Sequence, residues 1–174
     1  RDLKILIAYG SLGKFFHLKE FSEALQKLDV QTMLVKDSDY STGFPSKKPK
    51  EWIGTNKKFK NLISEFKPDA VFIDRQSHFG IDTIKFKIPL FILLRGHYWS
   101  EIEWAKKTLY KGPIMKTVIW FRNNIAENCF KNATAVLPIC KYLEDVVKDH
   151  HPNQSTLPFL EGINAERWYN VEGM

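Results

Sequence analysis

Short, almost unbroken apolar runs recur along this chain: LKILIAY (3–9), VQTMLV (30–35), AVFI (70–73), IPLFILL (88–94), ATAVLP (133–138) and STLPFL (155–160). Runs this short, without polar alternation, are the pattern of strands buried on both faces. Between them lie segments of helical period. Phe15, Leu18, Phe21, Leu25 and Leu28 share one face, as do Phe59, Leu62, Ile63 and Phe66, and later Ile139, Tyr142, Leu143, Val146 and Val147. IDTIKF predicts a short helix, and two more helices are expected over 100–111 and 116–131, broken at Gly112-Pro113. Residues 37–54 carry clustered turn formers and predict a long loop.

Alternating strands and helices predict an α/β fold in one domain: a doubly wound, Rossmann-like parallel sheet of about six strands with helices on both faces. If the strand order is 3-2-1-4-5-6, the first and fourth strands are neighbours. In such sheets ligands bind outside the carboxyl ends of the strands, where the order reverses. The loops GSLGK and RGHYW would then share one crevice.

At 174 residues the chain holds one sizeable core and no comfortable second one. Its 44% apolar and 26% charged residues exclude disordered and fibrous classes. No apolar run approaches the ~20 residues of a membrane span, and the opening RDLKILIAYG reads as the start of a strand rather than a leader. Cys129 and Cys140 lack metal-ligand spacing, so both are expected as buried free thiols in a reducing cytoplasm. The net charge of +6 concentrates between Pro45 and Lys67, where seven lysines face only Glu51 and Glu65. That stretch suits an anionic ligand or surface, and equally a solvated loop and helix.

Several residues carry possible chemistry. Gly10-Ser11-Leu12-Gly13 links a strand to a helix, where backbone N–H groups and the positive helix end can hold an anion, with Lys14 adding charge. The spacing is neither a dinucleotide fingerprint nor a P-loop, and a tight turn that needs glycine fits it as well. His97 follows Gly96 at the end of a buried strand, where an imidazole can exchange a proton near neutral pH or satisfy a structural hydrogen bond. Arg95 offers a planar fork to a carboxylate or phosphate. DRQSHFG (74–80) ends another strand with Asp74, Arg75, Ser77 and His78, a set that suits polar substrate contacts or an ordinary connection. Trp99, Trp104, Lys106 and Lys107 head a stretch of aromatics and cations suited to a membrane surface or to packing on the sheet. His150 and His151 face the negative end of a helix dipole, and no metal role is expected of them.

Taken in order, ILIAYGSLGKFFHLKEFSEAL, FKPDAVFID, IPLFILLRGHYW, NCFKNATAVLPICKYLEDVV and LPFLEGINAERWY resemble the N-terminal domain of a GT-B fold glycosyltransferase of the retaining family 4. The resemblance covers nearly the whole chain. Departures are Thr134 for the usual Asp, Cys140 at or near the usual Ser, Glu161-Gly162-Ile163-Asn164 for NGvD, and separated glycines in the first loop.

The resemblance implies a two-domain enzyme that moves a sugar from a nucleotide-sugar donor to a glycan, lipid-linked or other acceptor, with retention and without a metal or other cofactor. Residues 1–174 would be its acceptor-binding half, inactive alone, because no E-x7-E segment of the donor domain can be placed here. His97 would be the catalytic residue near the reacting sugar. Gly10, Ser11, Gly13, Lys14, Arg95, Gly96, Asp74 and His78 would meet donor phosphate or acceptor. Trp99, Trp104, Lys106 and Lys107 would meet an acceptor or membrane surface, giving a cytoplasmic enzyme in peripheral contact with the membrane. The alternatives are a non-catalytic module for a nucleotide or phosphorylated ligand and, from charge alone, a nucleic-acid binder, which is not expected.

Overall fold

The computed structural model describes residues 2–46, 48–160 and Gly162. The last motif of the resemblance, beyond Leu160, therefore lies outside the described residues except for Gly162. In chain order the elements are β1 (Lys4–Tyr9), α1 (Leu12–Gln26), β2 (Gln31–Lys36), α2 (Lys57–Phe66), β3 (Ala70–Ile73), α3 (His78–Lys85), β4 (Leu90–Leu94), α4 (Tyr98–Thr108), α5 (Pro113–Asn132), β5 (Ala135–Pro138) and α6 (Lys141–His150). The turn signals act where the sequence places them. Lys67 takes a left-handed conformation (φ 52°) immediately before Pro68 and stops α2. Gly112 at φ 87° turns the chain from α4 into α5, whose first residue is Pro113.

The strands form one parallel, Rossmann-like sheet in the order β2-β1-β3-β4-β5. Two expectations are corrected. There are five strands, not six: residues 155–159 run beside β5 and exchange backbone bonds with Val136 and Pro138, but they form a single bridge, at Thr156. The next rung would need an N–H on residue 138 to reach the Leu157 carbonyl, and Pro138 has none. The order also differs from 3-2-1-4-5-6, so β1 adjoins β3 rather than β4. The reversal of strand order therefore lies between the ends of β1 and β3.

Alternation along each strand divides the core. Leu6, Ala8, Val71, Ile73, Leu90, Ile92 and Val136 face α2, α3, α5 and α6, with Phe59, Phe79 and Phe130 wholly enclosed among them. On the opposite face, Ile7, Phe72 and Leu93 meet Leu18 and Phe21 of α1 and, from the segment after α6, Phe159. Each wholly enclosed Phe contributes roughly 1.5–3 kcal/mol of apolar burial. Among the described residues, helices thus cover the two faces unequally, with α1 alone on one. No helix among them is long and apolar enough to cross a membrane.

Candidate functional site

At the carboxyl edge of the sheet, acid and base meet beneath a glycine. β2 ends at Lys36, and the 3-10 turn Asp37–Asp39 that follows leaves Asp37 buried at 2% exposure. β3 ends at Ile73, and Arg75 two residues on donates to that carboxylate through Nε at 2.7 Å and Nη2 at 2.8 Å. Burial works against the Arg75 charge, but the bonds and charge of Asp37 outweigh it and hold the guanidinium above its ordinary pKa. The Arg75 stem crosses Gly10, where a Cβ would stand 2.3 Å from Cδ.

Asp74 completes this junction. Its Oδ1 accepts the Gly10 N–H at 2.9 Å, while its buried Oδ2 has no hydrogen-bond partner among the described residues. Burial raises the Asp74 pKa, offset in part by the nearby Lys14 charge and the Gly10 N–H. The first loop is thus tied to β3 by the amide that an anion would otherwise use. Ser11 caps α1 by position but makes no side-chain cap bond, and a Cβ on Gly13 would meet open space. Gly10 is required by a neighbour; Gly13 is not.

Beside this junction opens a cleft of about 530 Å³. One side is the loop after β2, including Ser41, Thr42, Gly43 and Ser46. Ser77 and His78, at the start of α3, lie next to Arg75. Tyr98 and Ile102 of α4, with Arg122 and Ile125 of α5, close the other side. The His78 ring lies so close to Gly43 that a Cβ there would be 2.5 Å from Cε1, and its Nε2 lies 3.0 Å from the Phe44 carbonyl. Since that carbonyl can only accept, Nε2 carries the proton, and the neutral ring keeps Nδ1 as an acceptor. The Ser41 and Ser77 hydroxyls are buried without a partner among the described residues. Tyr98 donates to Asn123 Oδ1 at 3.1 Å, and burial, with the charge of Glu127, raises its pKa well above the usual phenol value.

Compared with models of known protein families and with curated proteins, the chain matches none.

His97 lies apart from that cleft. It is the N-cap of α4, its Nδ1 accepting the Ser100 N–H at 3.2 Å, and its ring neighbours Tyr142, His150 and Trp99 at 6.0–6.5 Å between centroids. A Cβ on Gly96 would stand 2.6 Å from Glu101 Oε1, the tip of an exposed side chain that can swing aside, so the glycine is not required by packing there. Arg95 is half-buried at the strand end. The strand adjacency expected to give His97 and the Gly10 loop one crevice is absent, because β3 lies between β1 and β4.

Trp99 is half-buried, stacked on His150 at 4.1 Å and on Phe130 at 5.0 Å, and its Nε1 donates to Glu127 Oε1 at 2.8 Å. Glu127 Oε2 also meets His151 Nε2 at 2.8 Å, and His150 Nδ1 donates to the Val146 carbonyl in the last turn of α6. These contacts make Trp99 part of the packing between α4, α5 and α6. Trp104, Lys106 and Lys107 are exposed. Cys129 is buried and Cys140 exposed, so only one of the two thiols fits the expectation of burial. Among the described residues, no three His, Cys, Asp or Glu side chains group so as to hold a metal.

Sequence reasoning passed over Asp37, Ser41 and Tyr98. The one available signal for Asp37 was its place, an acid directly at the carboxyl end of a buried parallel strand.

Proposed function

We propose that this chain is the acceptor-binding domain of a retaining glycosyltransferase and that the cleft beside Arg75 and His78 takes the acceptor sugar. The observation that carries the reading is the chemistry of that cleft. Ser41, Ser77 and His78 line it together with Ile102 and Tyr98, and the buried Ser41 and Ser77 hydroxyls have no partner among the described residues. Polyhydroxylated rings need that combination, because each hydroxyl removed from water must regain a hydrogen bond. A phosphorylated ligand is served less well. Arg75 is bound to Asp37, Lys48 pairs with Glu51 at 3.5 Å, and Arg122 is bonded to the Tyr110 hydroxyl. The Gly10 amide is engaged by a carboxylate.

The family resemblance supplies the second part. It puts His97 near the reacting sugar, facing a donor domain outside this chain. With Nδ1 accepting from Ser100, the neutral ring has its Nε2–H to offer. His97 therefore acts as a hydrogen-bond donor to a sugar hydroxyl or to developing charge rather than as a general base.

The test is a transfer assay on the full-length gene product with a panel of nucleotide sugars and glycan acceptors, the anomeric outcome being read by NMR. Transfer with retention is expected. His97→Ala should lower kcat by roughly 10²-fold, the scale for loss of one such donor, while Ser41→Ala and Ser77→Ala raise the acceptor KM. Absence of transfer with every donor, together with no saturable glycan binding by this chain, would overturn the proposal.

A further inference from the structure

The corner between α4 and α5 projects from the body of the domain. Every residue from Lys111 to Thr117 is exposed, and a Cβ on Gly112 would meet open space. Three large apolar side chains stand outward there without a covering element: Ile114 at 77% exposure, Leu109 at 62% and Trp104 at 60%. From Trp104 through Arg122 the chain has five cations and no Asp or Glu, with Lys106 paired at 2.7 Å to Glu103 just before that stretch.

This mixture distinguishes among possible occupants. The centre of a protein interface is depleted in lysine, because an ammonium is hard to desolvate between two packed surfaces. At a bilayer the same lysine extends its stem along apolar neighbours and leaves its charge among the headgroups. Lys106, Lys107, Lys111 and Lys116 alternate with the outward apolar residues at the spacing such a boundary accommodates.

A second contact lies alongside. Phe44 packs edge-on against both Phe121 of α5 and Trp52 of the loop before α2, at 5.0 and 5.1 Å between centroids. The ring contacts bring exposed Trp52 and Ile53, flanked by Lys48 and Lys50, next to the exposed side of α5.

We propose that the α4–α5 corner, supported by the Trp52-Ile53 loop, docks this domain on an anionic lipid bilayer. The apolar tips enter the acyl boundary and the lysines hold anionic headgroups. Since α4, α5 and the loop after β2 also enclose the 530 Å³ cleft, docking sets that cleft beside the membrane. The docking itself does not depend on the sugar-acceptor reading.

The test is co-sedimentation of the purified chain with phosphatidylcholine vesicles, with and without phosphatidylglycerol. Binding is expected to the anionic vesicles, to fall with added salt, and to be weak on neutral ones. Each lysine converted to glutamate should lower partitioning at least about fivefold, so Lys106→Glu, Lys107→Glu, Lys111→Glu and Lys116→Glu together remove it. Leu109→Ser with Ile114→Ser should also abolish binding, with an unchanged circular dichroism spectrum because neither side chain is packed. Equal binding to both vesicle types, absence of binding to either, or full binding by the variants would overturn the proposal. So would a sedimentation velocity result in which the chain self-associates and Ile114→Ser makes it monomeric, since the corner would then belong to a second copy. Loss of sugar transfer with vesicle binding intact would instead fault the acceptor reading alone.

Discussion

Arg75 holds Asp37 through two parallel hydrogen bonds, and it reaches that carboxylate by lying across the bare Cα of Gly10. Three consecutive strands of the sheet, β2, β1 and β3, are thereby fastened at their carboxyl ends by side chains as well as by their ladders.

Removing one partner leaves the other charge uncompensated. Arg75→Ala exposes Asp37, itself 2% exposed, to that penalty. Because the Arg75 side chain is 46% exposed, the loss should be about 2 kcal/mol, below the 3–5 kcal/mol of a fully buried pair. In urea unfolding of Arg75→Ala, Asp37→Ala and the double variant, a coupling of about 1–2 kcal/mol is expected. Strict additivity would show the pair to be energetically idle.

Gly10→Ala tests the crossing directly. Gly10 is not in the left-handed region, so alanine meets no backbone obstacle, only the Arg75 stem. The substitution should cost about 1–3 kcal/mol by overpacking. In an Arg75→Ala background the cost should fall to within about 0.5 kcal/mol, the scale of an unobstructed surface change. An unchanged cost would assign the glycine some other role.

Asp74 gives a pH signature. Its folded pKa is raised, so between the ordinary carboxylate range and the folded value the native state binds more protons than the unfolded one, and stability falls as pH rises. Asp74→Asn keeps an oxygen for the Gly10 N–H and does not titrate. Thermal melts should show the variant gaining on the parent as pH rises through that interval, with a constant difference above it. A variant that instead loses stability relative to the parent across that interval would reverse the assigned sign.

The two thiols should separate in reactivity. Burial pushes the Cys129 thiol up to about 12, while Cys140 is exposed. A thiolate-directed reagent at pH 8 should modify Cys140 rapidly in the native chain and Cys129 only after unfolding, as peptide mass spectrometry can count. Equal native rates would show that the α5 packing opens readily.

The sequence carries β1, β3, β4 and β5 plainly because they are largely buried, and Leu6, Ile7, Phe72 and Ile92 have no polar neighbour to blur the signal, whereas the edge strand β2 leaves Gln31 and Met33 exposed. It does not carry their order. Periodicity reports which side chains leave water, not which strand lies alongside, and both common doubly wound orders demand the same apolar runs. The cleft was half legible. Asp74, Arg75, Ser77 and His78 follow a strand and stand out, whereas Ser41 and Asp37 sit in an irregular loop where single polar residues have no period. Trp99 and Trp104 look alike in sequence, and only the arrival of Phe130 and His150 around Trp99 separates an interior ring from an outward one.

The strand order also acts as a ruler. Neighbouring parallel strands lie about 4.8 Å apart, so the ends of β1 and β4, with β3 between them, are separated by roughly 10 Å across the sheet. A ligand that meets both strand ends has to span that gap or be met partway by side chains that reach across the end of β3, so the length of the shortest competent acceptor becomes a readout of topology.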